Sequence, residues 1–134
     1  MTSFLKNEDG SASVEFIALA LPLFIPLIIF LQQFAAVSAE ENFARILARE
    51  GARAYVSSSS SQSAEEMMNK VIMAAGRELG LTKEQFGRMA VGLDCSDSPC
   101  HSPNGRVQIT IHFSANSQFR AVTASAQEYF SPWS

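Results

Sequence analysis

Cys95, Asp97, Cys100 and His101 fall close together, in the order Cys95-Ser-Asp-Ser-Pro-Cys-His101. Two chemistries suit that set. A Cys95–Cys100 disulfide would close a short ring, with an entropic worth of about 2–3 kcal/mol. A metal site would draw on both thiolates, His101 and Asp97, but zinc motifs place their cysteines closer together and usually complete four ligands. The spacing favours the disulfide, and two cysteines with no further partner suit an oxidising compartment. No other set is arranged for catalysis. The chain has no glycine-rich phosphate loop and no nucleophile elbow, and no pair of carboxylates is patterned for a cleft. His112 falls on the polar side of an alternating run and reads as a surface histidine. No catalytic residue, metal site or cofactor is expected, and no small-molecule substrate.

One further carboxylate stands where it is costly. Glu15 opens onto Phe16–Ala39, a run without a single charge. At about 1.5 Å per residue this run reaches roughly 36 Å as a helix, enough to cross a hydrocarbon core of about 30 Å. A charge at the lip of such a segment is a mark of function. Gly10 precedes Glu15 at short range. Pro22 and Pro26 lie one helical turn apart inside the run, where each removes a helix donor and marks a kink. A signal peptide is an alternative, because Val37-Ser38-Ala39 offers small residues before Glu40. The run exceeds the usual apolar core of such a peptide, and the residues ahead of it are acidic, with Lys6 against Glu8 and Asp9.

Gly10-Ser-Ala-Ser-Val-Glu15-Phe16, then Leu21-Pro22-Leu23, and further on Ala48-Arg-Glu-Gly-Ala-Arg53, together resemble the TadE-like family, minor pilins or pseudopilins of tight-adherence (Tad or Flp) pili. The likeness covers roughly residues 10–56. It implies a leader over residues 1–10 and cleavage by a prepilin peptidase between Gly10 and Ser11. A glycine there lets the protease approach the backbone closely. Ser11 would be the new amino terminus and Glu15 the fifth mature residue. Glu15, with Phe16 beside it, would serve assembly, its carboxylate meeting the amino terminus of a neighbouring subunit. Opposite charges in apolar surroundings cost far less together than apart. The implied partners are the peptidase, other pilin subunits, the Tad assembly platform and membrane lipid. The implied location is a single-pass cytoplasmic membrane protein with its head outside, or a place within a surface pilus. The leader departs from the basic leaders common among prepilins. Arg45, Arg49 and Arg53 beyond the run also oppose the positive-inside rule, so orientation rests on the resemblance. Two alternatives are a secreted binding domain released after Ala39 and an unprocessed membrane scaffold of the secretion machinery.

The net charge of −3 and the lack of a basic cluster argue against nucleic acid. The expected architecture is α+β: a long N-terminal helix over residues 11–56, a serine linker over 57–63, and a head over 64–134 with one amphipathic helix on about three antiparallel strands. Past the span, Phe43, Ile46, Leu47 and Ala54 should share a helix face, and Glu41 should pair with Arg45. Arg45, Arg49 and Arg53 form a stripe that reads as a solvated face, with lipid phosphates or acidic neighbours as alternatives. Ser63 and Glu66 suggest a capping box starting a helix at Ala64, with Gly80 ending it and Leu81 folding back. Thr82 and Gln85 suggest a second capping box. Met89, Val91 and Leu93 alternate, as do Val107, Ile109, Ile111 and Phe113, predicting a hairpin around Cys95–Gly105. Phe119 to Phe130 reads as a third strand, with a helix as competitor.

Overall fold

The computed structural model describes residues 11–133. Its contacts divide the chain into two units, Met1–Ala36 and Val37–Ser134. One helix, α1 (Ser11–Val56), contributes to both. In the first unit α1 runs as helix straight through Pro22 and Pro26. Each proline lacks an N–H, so the carbonyls of Ala18 and Pro22 have no helical donor one turn on.

The second unit is built on the remainder of α1, then α2 (Ser61–Glu78), α3 (Lys83–Arg88), β1 (Met89–Cys95), β2 (Arg106–Phe113) and β3 (Val122–Tyr129). The strands form an antiparallel sheet in the order β1-β2-β3. Register is set by the period-two pattern of β2, since slipping one residue would turn its whole apolar set outward. Val107, Ile109, Ile111 and Phe113 are all fully buried, with Ile109 opposite Leu93 on β1 and Ala126 on β3. The third strand is shorter than expected, beginning at Val122 rather than Phe119. Cross-strand pairing overrides the helix propensity of its alanines.

Two helices cover the sheet, where one was expected. Ala44, Leu47, Ala48, Ala52 and Tyr55 of α1 join Ala64, Met68 and Ile72 of α2 in a single core with β2. The buried face of α1 keeps Leu47 and Ala54 of the expected one and departs from it elsewhere. Ile46 is 40% exposed and Phe43 half-buried, while the small residues Ala44, Ala48 and Ala52 face inward. Small residues let the backbones approach. At Gly51 an added Cβ would stand 2.9 Å from Ile72 Cδ1 and 3.5 Å from Ile109 Cγ2, so α1, α2 and the sheet meet at this residue. A pattern read for bulky apolar residues finds Leu47 but misses the alanines and glycine that complete this face.

The serines also behave differently from a linker over residues 57–63. Ser57 and Ser58 donate their hydroxyls to the Ala54 carbonyl at 3.0 and 2.9 Å, closing the end of α1. Ser60, rather than Ser63, caps α2, its hydroxyl accepting from the Ser63 backbone N–H at 3.4 Å. Ser61–Ser63 are thus helical. In a serine run several positions offer the same capping oxygen, and packing of Ala64 into the core selects the one used. The other end of α2 agrees with the sequence. Gly80 has φ +80, Leu81 N–H donates to Gly76 O at 2.9 Å, and Gly80 N–H donates to Arg77 O at 3.0 Å, a Schellman closure that buries Leu81. The Thr82–Gln85 capping box opens α3 as expected.

Candidate functional site

The most unusual surface of the chain belongs to α1. Its large apolar residues from Val14 to Phe34 are exposed, Phe16 at 72% and Leu19 at 77%. This is the one helix, among the described residues, that is long and apolar enough to cross a membrane. Glu15 is its only charged side chain before Glu40, and it is exposed at the N-terminal end. A carboxylate placed there has no protein partner among the described residues, so whatever covers the neighbouring apolar surface must also receive a charge. Ser11 begins α1. Gly10, and with it the scissile bond and the leader, lies outside the described residues.

Where α1 enters the second unit, the first charged residue behaves in the opposite way. Glu40 is 2% exposed. Its Oε1 accepts from Arg88 Nη2 at the end of α3 and from Gln85 Nε2 at 3.3 Å. Arg88 is itself held: Nη1 donates to Ser114 O at 2.8 Å, Nε faces Glu84 Oε1 at 3.6 Å, and the guanidinium lies over the Phe119 ring at 5.6 Å. A buried pair of this kind specifies geometry more than it stabilises, because desolvation offsets much of the attraction. Here it links α1 to the last residue of α3, directly before β1. Sequence reasoning missed it: all of α2 lies between Glu40 and Arg88, and the only visible signal was a carboxylate directly behind an apolar run. The expected Glu41–Arg45 pair does not form. Glu41 Oε1 instead reaches Arg120 Nη2 at 3.4 Å.

At the other end of the sheet Cys95 and Cys100 are joined, their Cα atoms 5.3 Å apart. Bonded to each other, the two sulfurs are not free thiolates. Directly after the ring they close, His101 lies 4.4 Å from Phe130, and Phe130 meets Tyr55 edge-on at 6.2 Å. Burial raises the Tyr55 pKa above the usual phenol value, and the nearby Glu65 carboxylate adds to it, while a hydrogen bond with Ser61 works the other way. His112 is half-buried on the outer side of β2, with Nδ1 2.8 Å from Thr123 Oγ1.

Comparisons with protein-family models, with curated proteins and with solved structures give no match. The functional reading therefore stands on the residues and on the geometry of α1.

Proposed function

We propose that this chain is a minor pilin-like subunit of a Tad-type pilus, a structural protein rather than an enzyme. A prepilin peptidase would cut after Gly10, and the freed Ser11 would begin a subunit that assembles through α1. The observation that carries this reading is the single continuous helix α1. Its first half is apolar and uncovered with Glu15 at its lip, and its second half is built into the core of a small head. Lipid would cover the first half before assembly, and the α1 helices of other subunits would replace that lipid afterwards. Glu15 would then meet the amino terminus of a neighbour. That pairing sets axial register, because a one-turn slip would leave two charges unpaired in apolar surroundings. Formation of the Cys95–Cys100 bond supports a head on the oxidising side of the membrane. Adherence or surface attachment is the role that follows.

The test is the N-terminal sequence and intact mass of the protein taken from native membranes. A start at Ser11 supports the proposal. A start at Glu40 would make the chain a secreted domain, and a start at Met1 an unprocessed membrane protein. Either result removes the pilin reading. Given a start at Ser11, Glu15→Ala should insert into membranes normally yet be at least tenfold depleted from sheared filaments.

A further inference from the structure

The sheet ends in two open edges. In the order β1-β2-β3, β1 and β3 each pair on one side only, and among the described residues no further backbone hydrogen bond reaches either strand. Folded proteins guard such edges with lysine, proline, bulges or very short strands, because unpaired N–H and C=O groups are a template for another chain. Neither strand has these guards. They are seven and eight residues long, contain no lysine or proline, and hold an unbroken register against β2. Their charges, Asp94 and Glu128, come near the strand ends, and Arg53 answers Glu128 at 3.8 Å. The apolar side of the sheet is also unfinished at both edges. Val107, Ile109, Ile111 and Phe113 of β2 are fully buried, whereas Met89, Val91 and Leu93 on β1 and Ala124 and Ala126 on β3 are only half-buried. On the other side of β1, a Cβ added at Gly92 would meet nothing within 4 Å except Thr110 of β2.

We infer that the β3 edge of one copy pairs with the β1 edge of the next, so that the sheet continues from head to head. The contact deepens the proposed function by naming the surface through which neighbouring heads meet, and it rests on that reading. Strand direction selects these two edges. Arg120, just before β3, reaches Glu41 at 3.4 Å, and Glu128, near the end of β3, meets Arg53, so β3 runs alongside α1 in the same direction. Two antiparallel pairings give β1 that direction too. Copies inserted in one membrane carry α1 in one direction, so β3 and the next β1 meet as parallel strands, a ladder that satisfies their outward N–H and C=O groups. Two β1 edges pairing antiparallel would hold their α1 helices in opposite directions, which one membrane forbids. Across the new pair, the small Ala124 and Ala126 leave room beside the larger Val91 and Leu93, completing the apolar side at both edges.

The two edges differ and stand at opposite ends of the sheet, so the contact is heterologous. It leaves one β1 and one β3 free at the ends of a row and propagates rather than closing a dimer about a two-fold axis. Its strength comes from backbone hydrogen bonds and apolar contact, which salt screens little. An extended peptide of another protein is the rival occupant; it would cover one edge and leave the two edges of neighbouring copies apart.

The experiment uses the full-length chain in its native membranes, with a thiol placed on each edge and mild oxidation. Gly92→Cys is combined in turn with Thr123→Cys, Ser125→Cys and Gln127→Cys, all exposed and spaced along β3 to cover the registers nearest level. Within one chain these positions are two strand spacings apart, about 9.6 Å, beyond the roughly 7 Å that a disulfide spans, so a bond between them must join two copies. At least one combination should give a ladder of trimers and larger species, and each single variant should give at least tenfold less crosslinked product. Raising salt from about 0.1 M to about 1 M should leave the ladder within about twofold. The Cys95–Cys100 bond, checked by mass after digestion, verifies that each variant has folded. The inference fails if no combination forms a ladder, which would leave the edges to another protein. It also fails if Gly92→Cys alone dimerises as strongly as the combinations, which would join β1 to β1, or if salt abolishes the ladder, which would assign the contact to surface charge. Failure of the pilin reading looks different: a mature start at Met1 or Glu40 with the ladder still formed.

Discussion

Breaking the Glu40–Arg88 pair from its two sides should give unequal losses. Arg88→Ala strands the Glu40 carboxylate at 2% exposure with only Gln85 at 3.3 Å. Removing one partner of a buried pair costs about 3–5 kcal/mol, and this side should fall in that range. Glu40→Ala leaves Arg88 its bond to Ser114 O, Glu84 at 3.6 Å and the Phe119 ring, with a tenth of its side chain exposed. That guanidinium remains partly served, so the loss should be smaller, about 2 kcal/mol. Glu40→Leu/Arg88→Met removes both charges and keeps volume, and it should recover most of the stability. Urea unfolding of the full chain in mild detergent, followed by near-ultraviolet circular dichroism, reads all three. For a head of this size each kcal/mol also moves the thermal midpoint by about 4–8 °C. If Glu40→Ala proved as costly as Arg88→Ala, or if the double variant were the worst of the three, the assignment of Glu40 as the more dependent partner would be refuted.

At Gly51, alanine adds a methyl group 2.9 Å from Ile72 Cδ1, while helix propensity gains up to about 1 kcal/mol, so Gly51→Ala should stay within about 1 kcal/mol of the parent. Gly51→Leu should lose about 3 kcal/mol or more by overpacking, and Ile72→Val should partly rescue Gly51→Ala; urea midpoints decide both. Tyr55 has a folded pKa raised above 10.0, so the folded chain holds its proton where the unfolded chain releases it. The stability this gives is present below pH 10 and lost as pH rises through the folded value; Tyr55→Phe should flatten that alkaline decline in a pH series of unfolding curves. Cys95→Ser/Cys100→Ser should lower stability by about 2 kcal/mol while hydrogen exchange at Ile109 and Ile111 still reports a paired β2, because that strand is held on both sides.

Local signals hold wherever neighbours along the chain decide the outcome. The Gly80 stop, the Thr82–Gln85 box, the alternation of Val107, Ile109, Ile111 and Phe113, and the Cys95–Cys100 ring each involve residues a few positions apart. The serine run misleads because Ser60 and Ser63 carry the same capping oxygen, and only burial of Ala64 distinguishes them. The inner face of α1 is only half legible, because apolar periodicity weighs bulk and finds Leu47, whereas Ala44, Ala48, Gly51 and Ala52 complete the contact.

The sequence by itself determined that the chain carries an uncharged run long enough to cross a membrane, with Glu15 at its edge. Length and hydropathy are properties of a segment and need no partner. It also determined the β2 face and the turns, because each rests on short-range periodicity or on a single backbone requirement. Only the tertiary structure decided that the second half of α1 is a core element rather than a stalk leading to a head. Only the tertiary structure matched Glu40 on α1 with Arg88 at the end of α3. Those outcomes depend on which surfaces close together when α1 and α2 pack on the sheet, and no spacing along the chain encodes that choice directly.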